Sequence, residues 1–381
     1  MKRIIVVGWI VILLGMAGKT AWAQEVDRVE ENEYMEEIEF DELQAVVEEV
    51  LRDSAFDFKQ AVGDMMKGEE VITPEGILAI GLTAARQAFL QEKEVIARVL
   101  VIAVAGAVLV NFSNVFQSSH VAEMSFFVTY LLLFGAISTS FCRISQTALT
   151  TLENLLEFMR ALLPSYFIAV TFATGSTVSF AFYEAAMMLI LVAEYVMVKF
   201  VLPVIHIYFV LRLLNYISKE AYLSRAVELL ETLITWTIRS MLGITVGYNV
   251  IQGMIVPAAN YVKNSVMWKT MKLLPGIGNA IGSVAESVLG AGVLVKNAMG
   301  AVGMLVIILI LAVPFIQIGS YCILYKLGTA IVQPISDKRI LECMEGAGKG
   351  AALLLYAVFA GAAMFLLTIA IVMVSTNPVW I

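Results

Sequence analysis

Six stretches of this chain run for about twenty residues or more with few charges: 95–116, 123–142, 184–214, 236–256, 301–325 and 351–375. Around 20 apolar residues are what an α-helix needs to cross the ~30 Å hydrocarbon core of a bilayer. Within that core no water satisfies a free amide or carbonyl, so a span must close its own backbone hydrogen bonds. The runs therefore set the fold class as all-α, and their number makes the chain a polytopic integral membrane protein. Sixty per cent of its residues are apolar and 15% are charged, whereas a soluble domain is nearer half apolar and a quarter charged.

Charge is unevenly spread. Residues 24–94 hold 20 of the 32 acidic residues and only six of the 25 basic ones. From 95 onward there are 12 acidic and 16 basic residues, so an acidic head precedes a mildly basic membrane body. Ahead of the head come Lys2-Arg3, an apolar run over 4–16, and Ala21-Trp22-Ala23. These match the charged n-region, short h-region and cleavage site of a secretory signal peptide over 1–23. The other reading is an uncleaved anchor; in both, residue 24 starts on the extracytoplasmic side. Within the head, Leu43, Val46, Val47, Val50 and Leu51 recur at helical spacing. Thr73-Pro74 reads as an N-cap followed by a first-turn proline. The expectation is a small extracytoplasmic helical domain over 24–94, which either meets a partner or caps the membrane body.

The body, 95–381, contains one pattern twice. Leu162-Leu163-Pro164 returns as Leu273-Leu274-Pro275, and Pro203-Val204-Ile205-His206-Ile207 returns as Pro314-Phe315-Ile316-Gln317-Ile318. The two prolines are 39 residues apart in each copy, and the offset between copies is 111. Internal duplication around proline- and glycine-interrupted segments is a mark of transport folds. The repeats are expected over about 143–257 and 258–375. Residues 143–161 and 219–235 are amphipathic and read as surface helices.

After each first proline comes a poor continuous span. The segment 164–184 is interrupted by Thr174-Gly175-Ser176-Thr177. Its counterpart, 275–300, carries Gly276, Gly278, Gly282, Gly290 and Gly292 with Glu286. Broken backbone is tolerated at membrane depth only when buried in protein or lining a wet cavity. Six spans result if both segments are re-entrant, and eight if both cross, which would invert the repeats. Loop charge in the six-span case puts 215–235 and 326–349 inside, with the acidic head and the C-terminus outside.

Catalytic signatures are missing from the sequence. His120 and His206 stand in different segments, and Cys142, Cys322 and Cys343 lack metal or disulfide spacing. Gly346-Ala347-Gly348-Lys349-Gly350 lacks the first glycine and the hydroxyl of a phosphate-binding loop. No basic stripe with interleaved aromatics points to nucleic acid. No cofactor, metal or catalytic residue is expected, and the chain reads as a non-enzyme. What remains are ionisable groups in apolar surroundings, which ordinarily face a partner or a wet cavity. Glu184, Glu194 and Lys199 lie on the long run 184–214, while Glu286 and Lys296 lie in the glycine-rich segment. With Gly175, Ser176 and Thr177 they are the candidate conduit-lining or gating residues.

The stretches Asn114-Val-Phe-Gln-Ser-Ser-His-Val-Ala-Glu-Met-Ser125, Ala173-Thr-Gly-Ser-Thr-Val178, Leu274-Pro-Gly-Ile-Gly278 and Pro334-Ile-Ser-Asp-Lys-Arg339 resemble the stage III sporulation protein AE family of endospore-forming bacteria. The likeness covers roughly 95–381, and the head only in general character. It implies a membrane subunit of the channel, or feeding-tube, complex between mother cell and forespore, which sustains late forespore gene expression. It also implies partners: other membrane and ring-forming subunits, an ATPase, and a membrane insertase during assembly. The alternative from the residues alone is a stand-alone secondary transporter built from two repeats.

Overall fold

The computed structural model describes residues 40–51, 56–69, 71, 74–115, 119–174, 177–217, 222–271 and 278–375. The signal-peptide reading at 1–23 and the head before Phe40 lie outside the described residues. Every element among the described residues is helical. In chain order these are α1 (Phe40–Val50), α2 (Phe58–Met66), α3 (Pro74–Val115), α4 (Ser119–Thr174), α5 (Thr177–Val196), a π-turn (Met197–Val201), α6 (Leu202–Asn215), α7 (Ser224–Met271), α8 (Gly278–Val332) and α9 (Lys338–Ser375).

Among the described residues, five helical stretches are long and apolar enough to cross a bilayer: Glu123–Thr171, Glu184–Asn215, Ser224–Ile255, Gly290–Val332 and Lys338–Val374. The run at 95–116 lies in α3, which stays helical to Val115, and contains the apolar stretch Ile96–Val108. At 1.5 Å per residue, α4 and α8 with 56 and 55 residues are each over about 80 Å long. Both outrun a bilayer and carry the fold beyond it.

The interruption expected at Thr174-Gly175-Ser176-Thr177 falls where α4 ends at Thr174 and α5 begins at Thr177. Pro164 and Pro314 lie inside continuous helices, α4 and α8. A proline costs a helix one hydrogen bond and a ring clash, but neighbouring helices hold the backbone in register around it. Around Pro164 this support comes from Leu162, Leu163, Tyr166 and Phe167, all buried. The segment 275–300, expected to be broken as well, is instead helical from Gly278 onward. Residues 143–161 also depart from expectation. They are the middle of α4, and Leu152, Leu155, Phe158 and Met159 are fully buried in the bundle. The apolar stripe faces protein rather than a membrane surface. Residues 224–235 likewise continue into α7 without a break, and the polar linker shrinks to 333–337 before α9 begins.

Pro203 does leave a mark. The N–H of Leu202 donates to the carbonyl of Met197, five residues back instead of four. Pro203 has no N–H to continue an α ladder, and the helix absorbs the defect as a π-turn just ahead of it. The chain from 177 to 215 thus stays helical through the defect.

Packing forms two joined cores. One gathers α3, α4, α6, α7, α8 and α9 around Tyr130, Phe141, Tyr208, Phe209, Tyr321 and Tyr325. In the other, α1 docks against 155–170 of α4 and α2 against 295–310 of α8, with 362–372 of α9 completing the core. Phe58 is the pivot, with Phe40 at 6.3 Å and Phe158 of α4 at 6.4 Å between ring centres. Gln44 holds the connection between α1 and α2, donating to the Phe56 carbonyl at 3.0 Å and accepting from the Phe58 N–H at 2.8 Å. Asp57 caps α2 by accepting from the Gln60 N–H at 2.8 Å. The described part of the head is therefore packed onto the body.

The glycines at 346–350 make close approaches. A Cβ on Gly350 would lie 2.9 Å from the Phe141 ring and 3.2 Å from the Phe209 ring, and one on Gly346 would lie 3.3 Å from the Arg212 side chain. By contrast, no side chain among the described residues would lie within 4 Å of a Cβ on Gly243 or Gly247.

Candidate functional site

An all-apolar bundle would need no amides or charges in its interior, yet this one buries several. On α7, Thr245, Asn249 and Gln252 are at most 1% exposed. Their spacing of four and three residues places them on one face. That face meets α9, where Asn249 Nδ2 donates to Thr368 Oγ1 at 3.0 Å. Thr368 in turn donates to the Met364 carbonyl at 2.8 Å. From α8, the fully buried Lys296 donates from Nζ to the Met373 carbonyl at 3.1 Å. Thr368 and Met373 are five residues apart, roughly 7.5 Å along the axis. Side chains of α7 and α8 thus converge on the last turns of α9.

The cluster is incompletely satisfied. On this face of α7, Asn249 Oδ1 and both amide atoms of Gln252 are buried without a hydrogen-bond partner among the described residues. A buried polar group left unmade costs about 1–3 kcal/mol. The arrangement suits water or a polar occupant, since a primary amide both donates and accepts.

Glu194 on α5 is 1% exposed, and neither carboxylate oxygen has a hydrogen-bond partner among the described residues. The charged groups acting on it are Arg160 and Glu153, both on α4. It stands three residues before the π-turn.

A second polar group lies at the other end of the bundle. Arg212 Nη1 donates to Tyr208 Oη at 3.1 Å, and Tyr208 Oη donates to Glu231 Oε2 at 3.0 Å. Arg212 also pairs with Glu231 at 3.8 Å. Beside it, the Tyr130 hydroxyl donates to the Leu213 carbonyl. Asn215 closes the turn into α7 by donating to Ser224 Oγ at 3.0 Å and accepting from the Leu223 N–H at 2.7 Å. The Arg339 guanidinium sits 3.4 Å over the Phe126 ring. His206 is fixed locally: Nδ1 lies 3.0 Å from the Leu202 carbonyl and Nε2 lies 2.8 Å from Ser145 Oγ. A carbonyl only accepts, so the proton belongs on Nδ1 and the serine hydroxyl donates to Nε2. That is a helix-pairing contact rather than a proton-transfer arrangement.

Of the residues singled out from sequence, Lys296 joins the buried cluster and Glu194 is buried apart from it. Glu184 and Lys199 are exposed on the outside of their helix. Gly175 and Ser176 lie outside the described residues; Thr177 opens α5 and Glu286 lies in α8. Sequence reasoning missed Thr245, Asn249, Gln252 and Thr368. The signal available was the one-face spacing of three polar residues inside the run 236–256. Among the described residues, no three His, Cys, Asp or Glu side chains converge as metal ligands.

A family model described as stage III sporulation protein AE matches residues 56–376. The stage III sporulation protein AE of Bacillus subtilis (strain 168) is 22% identical over 325 residues, covering 84% of this chain and 80% of the relative. No solved structure matches the chain.

Proposed function

We propose that this chain, which belongs to the stage III sporulation protein AE family, is a membrane subunit of the channel complex linking mother cell and forespore. The observation that carries the reading is a family match running across nearly the whole helical bundle, from 56 to 376. The bundle supports it in kind: several long apolar helices enclose polar side chains that an inert anchor would not bury. In this reading the protein sits in the mother-cell membrane facing the forespore. The acidic head lies on the extracytoplasmic side after signal-peptide removal. Its partners are the other membrane subunits, the ring-forming subunits and the ATPase of the complex, with a membrane insertase acting during assembly. It binds no nucleic acid, and catalysis belongs elsewhere in the complex. The duplicated Leu-Leu-Pro pattern is the relic of a repeat whose halves have diverged.

The deciding experiment is mild-detergent co-purification from sporulating cells, paired with deletion of the gene. The reading expects membrane and ring-forming partners in the eluate, and loss of late forespore gene expression on deletion. A protein that purifies alone and moves a solute across liposomes unaided would overturn it in favour of a stand-alone transporter.

A further inference from the structure

Glu194 is the one carboxylate among the described residues that is both fully buried and without a hydrogen-bond partner on either oxygen. Helices α4, α7 and α9 all pack on α5. From α4, Arg160 and Glu153 act on the carboxylate; no charged group of α7 or α9 does. Arg160 makes no ion pair with it, and the Arg160 and Glu153 side chains are exposed at the edge of α4. A purely structural buried carboxylate is ordinarily held by a partner or by backbone amides. This one has neither.

A second observation falls at the same place. The π-turn Met197–Val201 starts three residues after Glu194 and is followed at once by Pro203. The missing amide of Pro203 removes the donor for one carbonyl of the preceding turn. Such π-turns recur at functional sites in helices. The segment thus combines an unpartnered carboxyl group, a helix with a local register defect, and ionisable side chains on the neighbouring helix at the bundle's edge.

We infer that Glu194 is a proton-exchange site within the membrane body, taking up and releasing a proton toward the Glu153–Arg160 edge of α4. The occupant is a proton, because among the described residues the carboxylate joins no group of three or more metal-ligating side chains that would make a coordination shell. Protonation neutralises the group in its apolar surroundings, and release exposes a charge that Arg160 attracts. The inference depends on α5 lying in the membrane and is independent of the channel assignment.

A hydrophobic carbodiimide tests it, since this reagent modifies protonated carboxyl groups inside membranes and spares ionised ones. The full-length protein, reconstituted in liposomes, is treated between about pH 5 and pH 9, and adducts are mapped by peptide mass. The expected result is an adduct on Glu194 whose rate falls roughly tenfold per pH unit once the group ionises. The adduct is absent from Glu194→Gln and retained in Glu194→Asp, with both variants eluting as the same monodisperse species as the parent. No adduct on Glu194 at any pH overturns the inference. So does an adduct formed at a rate independent of pH, which would mark a carboxyl group that never exchanges its proton. None of these outcomes depends on sporulation partners, so failure here is separable from failure of the channel reading.

Discussion

Asn249 of α7 donates to Thr368 of α9 across 3.0 Å, with both side chains buried. This bond joins two helices that run alongside each other between apolar surfaces. Its strength is bounded by what the separated helices do in lipid, where polar groups find other partners; such bonds average about 0.6 kcal/mol. A double-mutant cycle with Asn249→Ala and Thr368→Val is expected to give a coupling energy of roughly 0.5–1.5 kcal/mol from detergent unfolding curves. Additive effects of the two substitutions would show that the contact contributes nothing to holding α7 on α9.

Lys296 offers a separation of folding from function. Its ammonium is fully buried and donates to the Met373 carbonyl near the end of α9. Replacing a buried charge by an apolar chain of similar size is often neutral or stabilising. Lys296→Met is therefore expected to melt at or above the parent temperature. If the cluster around Thr368 serves the complex, the same variant fails to support sporulation despite its stability. A variant that is both stable and fully functional would reduce Lys296 to a packing residue.

These sites show which parts of the molecule were legible in the sequence. The helical character of 95–381 followed from apolar runs and the absence of water in lipid, and it needed no tertiary information. Charged Glu194 and Lys296 stood out because an ionisable group in an apolar run is costly. The neutral amides of Asn249 and Gln252 did not stand out, because one amide per helical turn looks ordinary until the facing helix is known. The break at 174–177 was legible in its Thr-Gly-Ser-Thr chemistry, and α4 ends at Thr174. The glycine-rich segment 275–300 misled instead: it is helical from Gly278, since a glycine costs a helix only about 1 kcal/mol. The amphipathic stripe of 143–161 was real, and only its covering differed: an apolar face records that it is buried, not whether lipid or protein buries it. Gly350 shows the same limit, since its role depends on Phe141 and Phe209, more than 100 residues away.

At Gly350 the aromatic stack leaves no room. The Phe141 and Phe209 rings lie parallel, with centres 3.7 Å apart, and a Cβ at 350 would meet the first at 2.9 Å. Gly350→Val is expected to cost about 1–3 kcal/mol through overpacking. Phe141→Leu in the same chain recovers part of that loss by opening space on the contacted side. Thermal melts of the single and double variants in detergent check both signs; a double variant less stable than either single one would contradict the packing account.

The polar group at the other end predicts an order of severity. Tyr208 links Arg212 to Glu231, and Arg212 is packed against Gly346. Tyr208→Phe removes the shared hydroxyl but leaves the 3.8 Å Arg212–Glu231 pair, for a loss of about 1 kcal/mol. Glu231→Ala removes the ion pair and the acceptor of the Tyr208 hydroxyl together, leaving Glu345 to act on Arg212, and costs more, about 2 kcal/mol. Unfolding midpoints should fall in that order, and a larger effect from Tyr208→Phe would place the main contact on the hydroxyl.

The π-turn before Pro203 gives the most discriminating test of the fold. A π-turn is one residue inserted into an α-helix, so each face after it is rotated by about 100° from where an unbroken helix would put it. Buried residues lie on both sides: Ile190, Ala193 and Glu194 before, Ile205, Tyr208 and Phe209 after. Removing one residue from within 197–201 closes the turn and leaves both buried faces in place. Removing one from the regular part of α5 rotates everything on one side out of register. Deletion of Val198 combined with Pro203→Ala, which restores the missing N–H, is therefore expected to give a monodisperse protein melting within a few degrees of the parent. Deletion of Met188, whose own side chain is 71% exposed, should instead lose the folded peak in fluorescence-detected size exclusion. If both deletions behave alike, the extra residue at 197–201 is not what sets the register between α5 and α6.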